Sequence, residues 1–117
     1  MKSIDIKGTD YIPVNERIKE FRRLHPTGQI LTKILANADG QVMFKASVLV
    51  EGVCVSTGHA YEKEGSSFIN KTSYIENCET SSIGRALGMI GIGIDTSLAS
   101  ADEVATAVKQ QKEDFKL

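Results

Sequence analysis

After Pro13 the apolar positions recur at helical spacing: Val14, Ile18 and Phe21, with Leu24 three residues further on. This predicts an amphipathic helix. Pro13 suits its first turn, where a missing N–H leaves no bond unmade. The other face carries Arg17, Lys19, Arg22 and Arg23, diluted by Glu16 and Glu20, and His25-Pro26-Thr27-Gly28 ends the helix. Residues 1–12 show no clear period and read as a lead-in segment.

The period then changes to two. Gln29 to Ala36 sets Ile30, Thr32 and Ile34 on one side, and Asn37-Ala38-Asp39-Gly40 is a turn cluster. From Val42 to Val50, Val42, Phe44, Ala46, Val48 and Val50 alternate with Met43, Lys45, Ser47 and Leu49. Glu51-Gly52 is short enough for a tight hairpin. In the third run, Val53 to about Glu62, the residues Val53, Val55, Thr57, His59 and Tyr61 share a face, with Cys54 opposite His59. An antiparallel meander with one face on a core is expected.

A loop from Glu62 to Lys71 leads to Ser73, which with Glu76 forms a capping-box pattern. Ile75, Cys78, Ser82, Ala86, Leu87 and Ile90 then follow at helical spacing, and Gly91 suits a left-handed helix end. Ser100 and Glu103 repeat the capping pattern, so a short helix is expected to about Gln110, with 112–117 fraying. The fold class is therefore α+β: an N-terminal helix, a three-stranded antiparallel meander, a long helix packed on the sheet and a short C-terminal helix, in a single domain spanning 1–117.

Composition narrows the class. Of 117 residues, 41% are hydrophobic and 25% charged, as in globular domains. No apolar run is long enough to span a bilayer and no secretory h-region opens the chain, so a cytoplasmic protein with reduced thiols at Cys54 and Cys78 is expected. The formal net charge is -1, with ten Lys and Arg against eight Asp and Glu in residues 1–71, and four against seven in 72–117. A nucleic-acid binder with this balance needs a local basic stripe.

No catalytic motif stands out, and no enzyme activity, metal site or cofactor is expected. Gly88 to Gly93 resembles a phosphate loop, but it lies at a helix end. His59 and Cys78 read as packed residues, and Glu62, Glu64 and Glu79 as solvated charges. The helix after Ser73 is less ordinary. Gly84 and Gly88, four residues apart, remove bulk from one face beside Ser81, which points to an oligomer interface or close packing. Arg85 stands between them.

These residues also carry a resemblance. The run from Gly58 to Ser81, followed by SIGRALGMIGIG, is similar to small recombination proteins of phages and prophages of Gram-positive bacteria. They anneal or bind single strands and are related to the Sak and Erf groups. The similarity extends from about Tyr11 to Val104. It implies a β-β-β-α annealing-protein-like core, single-stranded DNA as partner, assembly into homo-oligomeric rings or filaments, and no nucleotide or metal. A host recombination or replication protein is a further possible partner, and a membrane is not. Arg85 matches the DNA-facing arginine of the wider superfamily, Ala86 and Leu87 its buried pair, and Gly91 its terminating glycine. Gly84 and Gly88 depart from it, since further basic residues are frequent there. The missing charge is then expected from Lys33, Lys45, Lys63 and Lys71, with Tyr61, Phe68 and Tyr74 as aromatics able to stack bases.

Two other classes compete. The double-stranded RNA-binding domain shares the helix–three-strand–helix order, but it sets a lysine cluster at the start of its last helix. Here that position reads Ser73-Tyr74-Ile75-Glu76-Asn77-Cys78-Glu79, which is acidic. The alternative is a protein-interaction or anti-defence factor of phage origin without nucleic-acid contact.

Overall fold

The computed structural model describes residues 1–6 and 8–94. The helix expected near Ser100 and the tail at 112–117 lie outside the described residues.

The segment read as a lead-in is a small antiparallel hairpin, β1 (Ile4–Ile6) and β2 (Thr9–Tyr11). Strands of three residues are too short to print a period in the sequence. The Gly8 N–H, at φ +84°, donates to the Asp5 carboxylate at 2.7 Å and closes the turn. Tyr11 and Ile12 then enter the core.

Helix α1 (Val14–Leu24) forms where the apolar spacing places it, with Pro13 just before it. Val14 and Phe21 are buried and Ile18 packs against the core, while Leu24 is exposed. Its polar face is not as expected: Arg17 is buried.

Strands β3 (Gln29–Ala38), β4 (Gln41–Val50) and β5 (Val53–Lys63) form one antiparallel sheet in the order β3-β4-β5. Both turns are two residues long, Asp39-Gly40 and Glu51-Gly52. All four residues have positive φ, the backbone that joins right-twisted strands most closely. Asn37 and Ala38 belong to β3, beyond the end the sequence pattern gave it.

The helices cover one face of the sheet. Val42, Phe44, Ala46 and Val48 of β4 are buried there, as their alternation requires. In β5 the inward residues are Ser56, Gly58, Ala60 and Glu62, the polar or small half of the alternation. Thr57, His59 and Tyr61 face outward and are exposed. The cause is close approach. A Cβ on Gly58 would lie 2.4 Å from the Ala86 nitrogen and 2.5 Å from the Ser82 oxygen. The Ser56 hydroxyl also donates to the Ala86 carbonyl at 2.8 Å. An irregularity adds Val55 to β5, so Cys54 pairs with Leu49 and lies on the same side as His59 rather than opposite it.

A short 3-10 helix (Ile69–Lys71) precedes α2 (Tyr74–Met89). The expected capping box does not form. The Ser73 side chain makes no cap bond, and its hydroxyl lies 3.3 Å from that of Thr72. The C-terminal end follows expectation: Gly91 has φ +95°, its N–H donates to the Gly88 carbonyl, and that of Ile92 donates to Leu87. Ile92 thereby joins the cluster of Phe21, Ala46, Val48, Ala86 and Leu87.

Cys78 belongs to a second cluster with Val42, Phe44 and Ala60. Its thiol donates to the Ala60 carbonyl at 3.3 Å, and burial pushes its pKa up to about 11. Native protein at pH 8 should therefore release one equivalent to a thiol reagent, from exposed Cys54, and two after unfolding. Ionisation is favoured first in the unfolded chain, so stability should fall as pH rises from about 9 towards 11.

Candidate nucleic-acid interface

The cations of α1 are largely engaged within the chain. Arg17 donates from Nε to the Ile12 carbonyl (3.2 Å) and from a terminal nitrogen to the Gly84 carbonyl (3.3 Å). Its guanidinium lies 5.8 Å from the Tyr11 ring centre, and the Gly93 backbone packs over it. Burial lowers its pKa, and the Tyr11 hydroxyl opposes that shift. Arg17 is thus an internal tie. Arg17→Met should destabilise the domain by about 1.5–3 kcal/mol for each charged hydrogen bond lost. It should leave the affinity of the folded fraction for any anion unchanged; thermal melts with a binding titration check both. Arg22 donates to the Gly28 carbonyl and lies over Phe21, Lys19 pairs with Glu16, and Arg23 pairs with Glu20.

The face of the sheet turned away from the helices is different. Lys33, Lys45 and His59 are direct cross-strand partners in one row. Lys63, two residues beyond Tyr61 on the same face of β5, carries the stripe to the sheet end. The single carboxylate of the three strands, Glu62, points inward and is buried. The chain's net charge thus hides a basic stripe without a carboxylate among its strand residues. Two like charges directly opposite weaken a sheet, so this row costs stability. Tyr61 is half exposed at the end of the stripe, and Leu31 and Met43 are exposed beside it.

The loop after β5 is held by a buried polar cluster. The Asn70 amide donates to Glu62 at 2.6 Å and to the Ser66 hydroxyl at 2.9 Å, and its carbonyl oxygen accepts from Asn77 at 3.1 Å. Asn70 is fully buried and Glu62 nearly so, which corrects the reading of Glu62 as a solvated charge. Glu79 is also engaged, accepting from the Thr32 hydroxyl at 2.8 Å. Nothing in the hydropathy pattern distinguishes Asn70. Its spacing from Glu62 and Asn77 becomes informative only once the loop is folded.

The predicted site residues therefore separate. Lys33, Lys45 and Lys63 lie on the open sheet face. Lys71 is exposed in the 3-10 helix. Arg85 is half-buried on α2, across the sheet from the stripe. Tyr74 packs against the cluster around Cys78. Gly84 faces α1, where a Cβ would meet Val14 Cγ2 at 2.7 Å, so its space is filled from within the chain. Gly88 is buried, and so is Ser81, whose hydroxyl has no hydrogen-bond partner among the described residues. Among the described residues no group of His, Cys, Asp or Glu could hold a metal, and no helix is long and apolar enough to cross a membrane.

A small α+β domain results, with the order α-β-β-β-α and two helices on one face of an antiparallel sheet. This is the arrangement of double-stranded RNA-binding domains. The chain belongs to the family described as Slr1353 N-terminal dsRNA-binding domain-like, whose model matches residues 18–90. No curated protein and no solved structure matches it. The acidic start of α2, which makes this type a poor match on sequence, does not keep the chain out of the family. The matched span runs from within α1 to the end of α2 and includes every strand of the sheet. Family membership supports a nucleic-acid-binding fold, and the match names no phage annealing group.

Proposed function

We propose that this protein binds single-stranded nucleic acid across its open sheet face and brings complementary strands together, without nucleotide, metal or covalent chemistry. The observation that carries this reading is the Lys33–Lys45–His59 row, continued to Lys63, on strands that turn no carboxylate outward. A phosphate chain laid across it would meet ammonium groups on three strands, with Tyr61 placed to stack on a base. Leaving bases open on a flat sheet is what pairing with a second strand requires. The phage annealing resemblance agrees with this use, and a small basic area per subunit gains from assembly into homo-oligomers.

Labelled oligonucleotides of one length, offered as single strand, DNA duplex and RNA duplex over a salt series, test the proposal. Single strand should bind tightest, and log affinity should fall linearly with log salt. Affinity independent of salt, or absent binding, would count for the protein-interaction alternative. A second reading, duplex RNA as ligand, is favoured by the family description, and tighter binding of the RNA duplex would select it.

Arg85 reaches this site only if assembly builds the groove from more than one subunit. Arg85→Ala should then lower affinity of the assembled protein as Lys45→Ala does. An unchanged affinity would assign the grip to the sheet alone.

A further inference from the structure

The loop that follows the basic stripe carries the most exposed large hydrophobic side chain among the described residues: Phe68 is 87% exposed. Exposure of this degree on a flexible tip would mean little. This tip is clamped. The Gly65 N–H donates to the Asn70 carbonyl at 2.8 Å, and the Ser66 hydroxyl donates to the Lys63 carbonyl at 2.7 Å. The Ser67 hydroxyl accepts from the Asn70 N–H at 3.3 Å, and the Lys71 N–H donates back to the Phe68 carbonyl at 3.3 Å. Asn70 anchors the whole to buried Glu62. A loop backbone held this way loses little conformational freedom when the side chain it presents meets a ligand.

The loop begins where the stripe ends. Tyr61 and Lys63 lead along β5 to the loop, and Lys71 stands three residues beyond Phe68. The Glu64 N–H bonds the Gly40 carbonyl, which brings Asp39 and Glu64 to this end as well. The local charge is therefore close to balanced, and what the loop adds is an apolar plane rather than more phosphate grip. A second copy of the chain is the other conceivable occupant. The depression beside Ala36, Asp39, Met43 and Tyr61 of such a copy is the competing place for the ring, and the titration below separates the two.

We infer that Phe68 is a base-stacking residue: an exposed ring on a clamped loop that takes one unpaired base at the end of the sheet, extending the single-strand site beyond Tyr61 by a contact insensitive to salt. This rests on the single-strand reading of the sheet face.

The chain contains no tryptophan, so Phe68→Trp makes a single-tryptophan reporter at the tip. Titrating it with a labelled single-stranded oligonucleotide gives anisotropy for binding and tryptophan quenching for stacking in one experiment. Quenching should track anisotropy. Phe68→Ala should weaken binding by about five- to a hundredfold, with the salt slope unchanged and Phe68→Tyr restoring most of the affinity. Binding without quenching, or an Ala variant of unaltered affinity, overturns the inference and leaves the sheet site standing. A spectral shift that follows protein concentration without oligonucleotide also overturns it, in favour of a self-association contact. Absence of binding by the parent protein overturns both readings.

Discussion

Gly58→Ala should unfold much of the protein at temperatures where the parent is fully native. The added Cβ would sit 2.4 Å from a main-chain nitrogen and 2.5 Å from a main-chain oxygen of α2. No side chain can turn aside, so the helix must lift from the sheet. Overpacking a core costs about 1–3 kcal/mol when side chains can yield, and more when they cannot. At 3 kcal/mol the Tm of a domain this size falls by about 12 °C or more. The lifted helix would also strain the Ser56 hydroxyl's bond to Ala86 and the burial of Ala86 and Leu87. Thermal melts by circular dichroism check this, and a drop of under 2 °C would mean that β5 and α2 are not in the close contact described.

Removing the lysine pair should act in the opposite sense on stability. In Lys33→Ala/Lys45→Ala the domain should become more stable by about 0.2–1 kcal/mol, because two like charges no longer face each other across the strands. Single-strand binding should nevertheless collapse. Two charge-assisted contacts at about 1.5–3 kcal/mol each amount to roughly a hundred- to ten-thousandfold in affinity. The slope of log affinity against log salt should shrink by about 1.4. A more stable protein that has lost its ligand is hard to explain by damage to the fold. If affinity and slope are both unchanged, the open face is not where nucleic acid lies.

The long elements were legible because their periods were long. Val14, Ile18 and Phe21, the alternation of β4, and the stretch from Ile75 to Leu87 each repeat often enough to fix type and inward face. β5 was legible as a strand but not in its orientation. The alternation puts Val53, Val55, Thr57, His59 and Tyr61 on one face without saying which face meets the helices, and the contact selects for smallness at Gly58 and Ala60. The extra residue Val55 then breaks the parity that would have placed Cys54. Arg17 falls with Lys19, Arg22 and Arg23 on the polar face of the helical spacing, and nothing in that spacing marks it as buried. Its partners at Ile12, Gly84 and Gly93 come from three separate stretches of chain. The lysines of the sheet were legible as candidates, and their lining up as a stripe needed the register of three strands.

The tie made by Arg17 also bears on where the cooperative unit begins and ends. The span shared with the family starts at residue 18 and stops at residue 90. It omits Arg17 itself, the Tyr11 ring and Ile12 carbonyl that meet it, buried Val14 against Gly84, and Ile92 and Gly93 beyond the last helix. A fragment trimmed to the family span would keep every strand of the sheet. It would nevertheless open the contact between its two helices, leaving the Gly84 carbonyl without Arg17 and the cluster around Leu87 without Ile92. A piece meant to fold alone should thus include at least Tyr11 to Gly93, so homology sets the wrong cut sites for a minimal domain here.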